Sequence, residues 1–282
     1  MPSVVPTAHP SAVPTADPTN TPTDGLSFTP TSMPSAAPTA WWETAPQWPS
    51  LGTYVAFGAS SPLGDSSGHG GGLATRDGSD VTATCTSPLP CFVNLPTGQE
   101  AGLVTPAGMG QSSNGTTVCI RFRIWEPGGS GTVLRLLPID NDRPSMGSLK
   151  YFVANETSMW MYTVTDASQL YDQWWMPNTV AADGTFTHVC LAWLLHGPDA
   201  QLRHRLVVDN QTFPLRCAAN DCGAEQRSVP MVGAETVMCI GCTGFPEADR
   251  QTGLDVAAFA VWNTALTTDE MHTYIDLVAV HS

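Results

Sequence analysis

The sequence predicts an all-β domain, a sandwich or a barrel, and three observations carry that reading. Between Thr53 and Trp262 short apolar runs follow one another, separated by clusters of Gly, Pro, Asn and Asp. Several of these runs alternate with period two, the signature of a strand with two unlike faces. A capped helix is legible near the end, where Thr267 followed three residues later by Glu270 forms a capping box.

The chain divides at about residue 50. Residues 2–40 repeat with a period of eight, Pro-Thr recurring at Pro6, Pro14, Pro22, Pro30 and Pro38. A second register places Pro2, Pro10, Pro18 and Pro34 four residues earlier, with Leu26 as its lapse. Proline at that density forbids both helix and sheet and favours an extended, polyproline II-like chain. We read 1–50 as a disordered stalk or linker, whose Ser/Thr/Pro/Ala composition suits either a mucin-like O-glycosylated segment or an unmodified one. Residues 51–282 are then the folded domain, a common size for one large β-sandwich.

Charge narrows the partners. The net charge is −14, and only Asp17, Asp24 and Glu43 precede Leu51, so −11 belongs to the domain. Lys150 is the lone lysine. Such a surface argues against nucleic acid, whose phosphates need clustered cations, and against anionic membranes. No run approaches the roughly 20 apolar residues of a membrane span. The opening MPSVVPTAHP shows neither a basic nor an apolar signal region, which reads as a fragment of a longer secreted or anchored protein, or one whose export signal has been removed. Eight cysteines and three sequons, Asn114, Asn155 and Asn210, nevertheless point outside the cell.

The strands are justified in turn. TYVAFG opens the domain after Leu51. In TVCIRFRIW, Val118, Ile120, Phe122 and Ile124 share one face, and Cys119, Arg121, Arg123 and Trp125 the other. TVLRLLPI, LKYFVA and MWMYTVT follow. In FTHVCLAW, Val189, Leu191 and Trp193 oppose His188, Cys190 and Ala192. Both Cys119 and Cys190 thus lie on the more polar face, where a bridge would sit on the outward side of the sheet. HRLVVDNQTF reads as a hairpin and ETVMCIG as a strand. In LDVAAFAVW strict alternation puts Leu254, Val256, Ala258, Ala260 and Trp262 on one side.

The remaining cysteines pair at short spacing: Cys85 with Cys91, Cys217 with Cys222, and Cys239 with Cys242. The Cys239-Ile-Gly-Cys242 spacing also occurs in zinc and redox sites. Zinc needs a second suitable pair, and a redox pair belongs at a helix N-terminus, whereas this one ends a strand. Structural disulfides, local or crossed between the pairs, are the reading the residues favour.

The run Asp255, Val261, Trp262, Asn263, Ala265, Leu266, Thr267, Asp269 and Glu270 resembles the closing element of laminin-G-like and pentraxin-like jelly rolls, with two extra residues after Asp255. LGDSSGHGGGL (63–73) resembles the loop after their first strand, and LVVDNQTF (206–213) one of their hairpins. TVCIRFRIW and FTHVCLAW resemble the two pentraxin strands that carry that family's disulfide, which implies a Cys119–Cys190 bridge. The resemblance spans roughly residues 52–278. It implies a two-sheet antiparallel jelly-roll sandwich, concanavalin A-like, with a short C-terminal helix and ligand sites on rim loops or the concave sheet.

Glucanases on related folds carry E-x-D-x-x-E with carboxylates about 5 Å apart. No such run occurs: Asp166, Asp172 and Asp183 are isolated, and Glu247 and Asp249 stand alone. No G-x-S-x-G, H-E-x-x-H or Walker loop is present, and the seven histidines show no ligand spacing. The chain reads as a non-enzymatic module binding glycans or cell-surface and matrix glycoproteins, the alternatives being a structural packing domain and a degenerate glycan-cleaving enzyme. Calcium is the one cofactor considered. Asp140, Asn141 and Asp142 offer clustered oxygens in a hairpin loop, as a pentraxin Asp-Asn pair does, with Glu247 and Asp249 as further ligands. Here Met146-Gly147 follows where the pentraxin pair abuts a strand, and Cys239–Phe245 replaces that family's main calcium run. An Asp/Asn cluster is also ordinary turn chemistry. For sugar contact, Tyr171, Asp172, Trp174 and Trp175 place aromatic faces beside an acid, in what reads as a loop that either packs or binds.

Overall fold

A computed structural model describes residues 51–56, 63–67, 71–76, 78, 80–85, 90–96, 102–124, 130–138, 147–154, 157–165, 171–177, 184–193, 204–213, 216–217, 235–242 and 253–281. The octad-repeat segment lies outside them. In chain order the strands are β1 (Leu51–Ala56), β2 (Ala74–Thr75), β3 (Ala83–Thr84), β4 (Phe92–Leu95), β5 (Leu103–Val104), β6 (Thr116–Ile124), β7 (Ser130–Pro138) and β8 (Gly147–Ala154). They continue with β9 (Thr157–Thr165), β10 (Tyr171–Pro177), β11 (Thr187–Trp193), β12 (His204–Val208), β13 (Gln211–Phe213), β14 (Arg216–Cys217), β15 (Thr236–Ile240) and β16 (Leu254–Trp262). Among the described residues one helix, α1 (Thr268–His281), follows.

Two antiparallel sheets face each other. The first runs β13-β12-β11-β6-β16-β4-β3, with β1 also paired to β16; the second runs β14-β10-β9-β8-β7-β15-β5-β2. Between them lies the main core. Val118, Ile120, Phe122 and Ile124 of β6 and Val189, Leu191 and Trp193 of β11 come from one side; Leu103, Val133, Leu136, Met238 and Ile240 come from the other. Period-two alternation delivers the β6 and β11 faces as the sequence predicts.

β16 departs from its predicted alternation. Its register against β6 slips between Val256 and Ala258, so that Val256 lies opposite Phe122 and Ala258 opposite Arg121. One extra residue on one strand is a β-bulge, and it exchanges the faces of everything beyond it. Leu254 and Val256 therefore share the inter-sheet core with Phe259 and Val261, while Ala258, Ala260 and Trp262 point to the opposite side. The five residues expected together are divided two and three. All nine residues of β16 are nonetheless buried, because this strand has packing on both faces.

The second face of the first sheet carries its own core. Cys119 and Cys190 lie opposite each other on β6 and β11 and are bridged. Their face is outward from the inter-sheet core, as the alternation implies, but α1 covers it and both cysteines are buried. Around the bridge, Ala192, Val207, Ala258, Ala260 and Trp262 meet Leu266, Met271, Tyr274, Ile275 and Val278. Alanines on the strands let the helix approach closely. The helical contacts fall at i, i+3, i+4 and i+7, one stripe of α1, and each apolar side chain so buried is worth about 1.5–3 kcal/mol. Tyr274 meets Trp262 edge to face at 4.8 Å. Thr267 and Glu270 form the capping box: the Glu270 carboxylate accepts from the Thr267 amide at 2.7 Å, and the Glu270 amide donates to the Thr267 hydroxyl at 3.3 Å.

The entrance to α1 is tied to the sheet. The Thr117 hydroxyl donates to the Thr264 carbonyl and accepts from the Leu266 amide, both at 2.8 Å, and Arg205 Nη1 donates to the Leu266 carbonyl at 2.8 Å. The 63–73 loop closes where the Leu73 amide donates to the Leu63 carbonyl at 2.8 Å. Gly72 is required there, since a Cβ at that position would collide with the Leu63 carbonyl oxygen.

Candidate functional site

α1 covers only part of the outer face of the first sheet. Beyond it, alternation sets out a second group of side chains: Phe92 and Asn94 from β4, Arg121 and Arg123 from β6, and His188 from β11, joined by Asp255 from β16 ahead of the bulge. Asp255 sits in the ladder between Asn94 and Arg123, one directly opposite on each side. Its Oδ2 meets Arg123 Nε at 2.6 Å and its Oδ1 accepts from Asn94 Nδ2 at 2.9 Å. The Asp255 side chain is 0% exposed and that of Arg123 16%. A buried carboxylate loses much hydration energy, and these two partners are what return it.

The guanidinium of Arg123 also lies 4.7 Å from the Phe92 ring centre and 4.9 Å from that of Phe186, just ahead of β11. Arg121 stands 5.6 Å from Phe186, and the two phenyl rings are 5.8 Å apart. Arginine suits such a position because its planar, delocalised cation stacks on an aromatic face while bonding a carboxylate in its own plane.

His188 lies opposite Arg121. Burial, and then the Arg121 charge, lower its pKa from 6.5 to about 3, so the imidazole is neutral at physiological pH. Its Nδ1 is 3.9 Å from Asp209, which is therefore an approach without an ion pair. Asp209 is held by backbone instead. Its Oδ1 accepts from the His188 amide at 2.9 Å, and its own amide donates to the His188 carbonyl at 2.8 Å. Burial pushes the Asp209 carboxyl up, against that hydrogen bond and Arg121, which pull it down. Asp209 takes a φ of 49° in the two-residue turn that joins β12 to β13. Asp tolerates this left-handed conformation better than most residues.

The residues expected to bind ligands are placed elsewhere or not at all. Asp140, Asn141, Asp142, Glu247 and Asp249 lie outside the described residues. Among the described residues, no group of three or more His, Cys, Asp or Glu is placed to hold a metal. Tyr171, Asp172, Trp174 and Trp175 belong to β10 and not to a loop. Trp174 lies opposite Tyr162 of β9 and Cys217 of β14, and Trp175 opposite Met161 and Arg216. Their aromatic and β-favouring character expresses itself as strand pairing. Cys85 is bridged to Cys91, and Cys239 to Cys242. Cys217 ends β14, and its sequence neighbour Cys222 lies outside the described residues. Of the three sequons, Asn114 and Asn210 are exposed in turns, and Asn155 lies outside the described residues.

Sequence reasoning missed the cluster at Asp255. The signal was present, as two arginines on the outer face of β6 and one acid inside an otherwise apolar β16. What hid it was β4, four residues framed by Pro90 and Pro96, too short to register as a strand and the source of both Phe92 and Asn94.

Neither a family profile nor a curated protein sequence matches this chain. Solved structures do. The receptor binding domain of botulinum neurotoxin C/D mosaic serotype superposes with a TM-score of 0.54 at 10% identity, over 80% of this chain and 51% of that one. The botulinum neurotoxin serotype D binding domain gives 0.53 at 12% identity over 80% and 51%. The type G receptor binding domain gives 0.53 at 10% over 81% and 51%. The chain spans about half the length of these structures, and at such identity the likeness is one of fold.

Proposed function

We propose that this chain is an extracellular, non-enzymatic recognition module that binds glycans or glycoproteins at a cell surface or in a matrix. The observation that carries the reading is the fold: its two-sheet sandwich superposes on domains whose role in their own proteins is receptor binding. Three disulfides among the described residues, Cys85–Cys91, Cys119–Cys190 and Cys239–Cys242, support an oxidising compartment. Within this reading the domain groups with the laminin-G-like and pentraxin-like jelly rolls, on the strength of the Trp262-Asn263 strand end and its capping box. Calcium held by Asp140, Asn141 and Asp142, with Glu247 and Asp249, is the cofactor that grouping suggests. The β10 residues Tyr171, Asp172, Trp174 and Trp175 are the ligand-contact candidates.

The test is a glycan array probed with the full chain in calcium and again in chelator. Binding lost on chelation supports both the recognition role and the calcium set, and Asp140→Ala/Asp142→Ala then abolishes it. Binding that survives chelation keeps the role and removes calcium. No binding in either condition sinks the glycan reading in favour of a packing domain of a larger surface assembly. Turnover of β-glucans, abolished by a single Asp or Glu substitution, overturns the non-enzymatic assignment.

A further inference from the structure

The sequons at Asn114 and Asn210 share one motif but stand in unlike surroundings. An acceptor asparagine is read together with the hydroxyl two residues on, so both side chains must be presented to the transferase. At Asn210-Gln-Thr212 all three residues are exposed. Asn210 occupies the β12–β13 turn, and Thr212 belongs to β13, an edge strand paired only to β12 among the described residues. Among the described residues the Thr212 hydroxyl makes one surface contact, 3.3 Å to His272 Nε2.

At Asn114-Gly-Thr116 the asparagine is exposed but the hydroxyl is not. Thr116 is buried and donates to the Gly110 carbonyl at 2.5 Å. It opens β6, the strand held between β11 and β16, where Thr116 lies opposite Trp193 and Thr117 opposite both Ala192 and Trp262. To present that hydroxyl, the chain must withdraw Thr116 from its carbonyl and peel the start of a central strand from its neighbours.

We infer that Asn210 is an N-glycan acceptor that stays open in the folded domain, whereas Asn114 is an acceptor only before β6 docks. The inference rests on the extracellular reading above for its occurrence in the cell, but the accessibility it asserts belongs to the fold. In the step itself the Asn210 side-chain nitrogen bonds to the anomeric carbon of a lipid-diphosphate-linked oligosaccharide. The anomeric C–O bond breaks, the lipid diphosphate leaves with the electron pair, and the amide proton passes to a base of the transferase. The glycan so added stands on the turn whose Asp209 bonds the backbone of His188, at the border of the arginine–phenylalanine cluster.

The experiment uses the full chain, made with its disulfides in a host without the transferase. Folded protein and protein reduced and unfolded in denaturant, then diluted into the assay, are each given a single-subunit oligosaccharyltransferase and its lipid-linked glycan. Occupancy is read by peptide mass spectrometry. The folded chain is expected to carry glycan at Asn210 and not at Asn114, the unfolded chain at both. Thr212→Ala removes the Asn210 glycan and Thr212→Ser retains it. Glycan at Asn114 in the folded chain overturns the inference, as does an empty Asn210 in the folded chain or an empty sequon in the unfolded one. Because enzyme and donor are supplied, none of these outcomes depends on where the protein resides. Failure of the extracellular reading shows separately, as absence of glycan on the protein from its native source.

Discussion

Removing the Cys119–Cys190 bridge tests how the domain is held together. The two cysteines are 71 residues apart in sequence, and the segment between them supplies β7, β8, β9 and β10 of the second sheet. Loop-closure entropy for a ring of that size amounts to about 4 kcal/mol at room temperature. The sulfurs also pack beneath α1 beside Ala192, Ala260 and Trp262. Replacing both by alanine leaves a small void there, adding on the order of 1 kcal/mol. The expected loss for Cys119→Ala/Cys190→Ala is therefore about 5 kcal/mol, against a total of roughly 5–15 for a domain. The short Cys85–Cys91 ring, with a separation of 6, is the internal control. The same entropy relation gives it about 2 kcal/mol. Urea unfolding followed by tryptophan fluorescence suits the measurement, since Trp193 and Trp262 are both buried. If the two double variants lose equal stability, or the long-range one loses less than about 1 kcal/mol, the entropic argument is wrong for this fold.

Two further predictions concern the outer face. Asp255→Ala leaves the Arg123 guanidinium and the Asn94 amide without their buried acceptor and is expected to cost about 3–5 kcal/mol, whereas Arg123→Met/Asp255→Leu recovers much of that loss; a double variant as unstable as the single one refutes the pairing as the cause. His188, with a folded pKa of about 3 against 6.5 unfolded, binds its proton more readily in the unfolded chain. Its contribution to stability is complete above pH 6.5 and declines as pH falls toward 3, by roughly 1.4 kcal/mol per unit, or about 2 kcal/mol at pH 5. Asp209, with its raised pKa, works in the opposite sense as pH falls, and it is common to the two proteins compared between pH 7 and pH 5. Over that range wild type is expected to lose urea resistance faster than His188→Phe, and parallel losses contradict the assignment.

What the sequence made legible was whatever depended on unbroken alternation or on near neighbours in the chain. β6 and β11 read correctly face by face because each keeps strict period two from end to end. The capping box read correctly because Thr267 and Glu270 are local to one another. β16 misled because a bulge leaves no mark among small apolar residues: an alanine at 257 satisfies either register. The face carrying Cys119 was read as outward, and only α1, a segment more than 140 residues later, makes it a core. The arginine cluster was obscured for the same reason, since Asn94, Arg123 and Asp255 meet across three strands remote in sequence.

The place of β16 bears on how the protein is made. Val55 of β1 lies opposite Phe259, and among the described residues β1 has no other strand partner. β4 and β6 flank the same strand. During vectorial synthesis the first strand of the domain thus waits for the last, and the middle of the first sheet stays vacant until nearly everything else has emerged. Long-range pairing of this kind is slow to close. Throughout that interval the start of β6 is unlocked on one side, and a hydroxyl that the finished fold conceals at Thr116 remains within reach of any transferase that meets the unfinished chain.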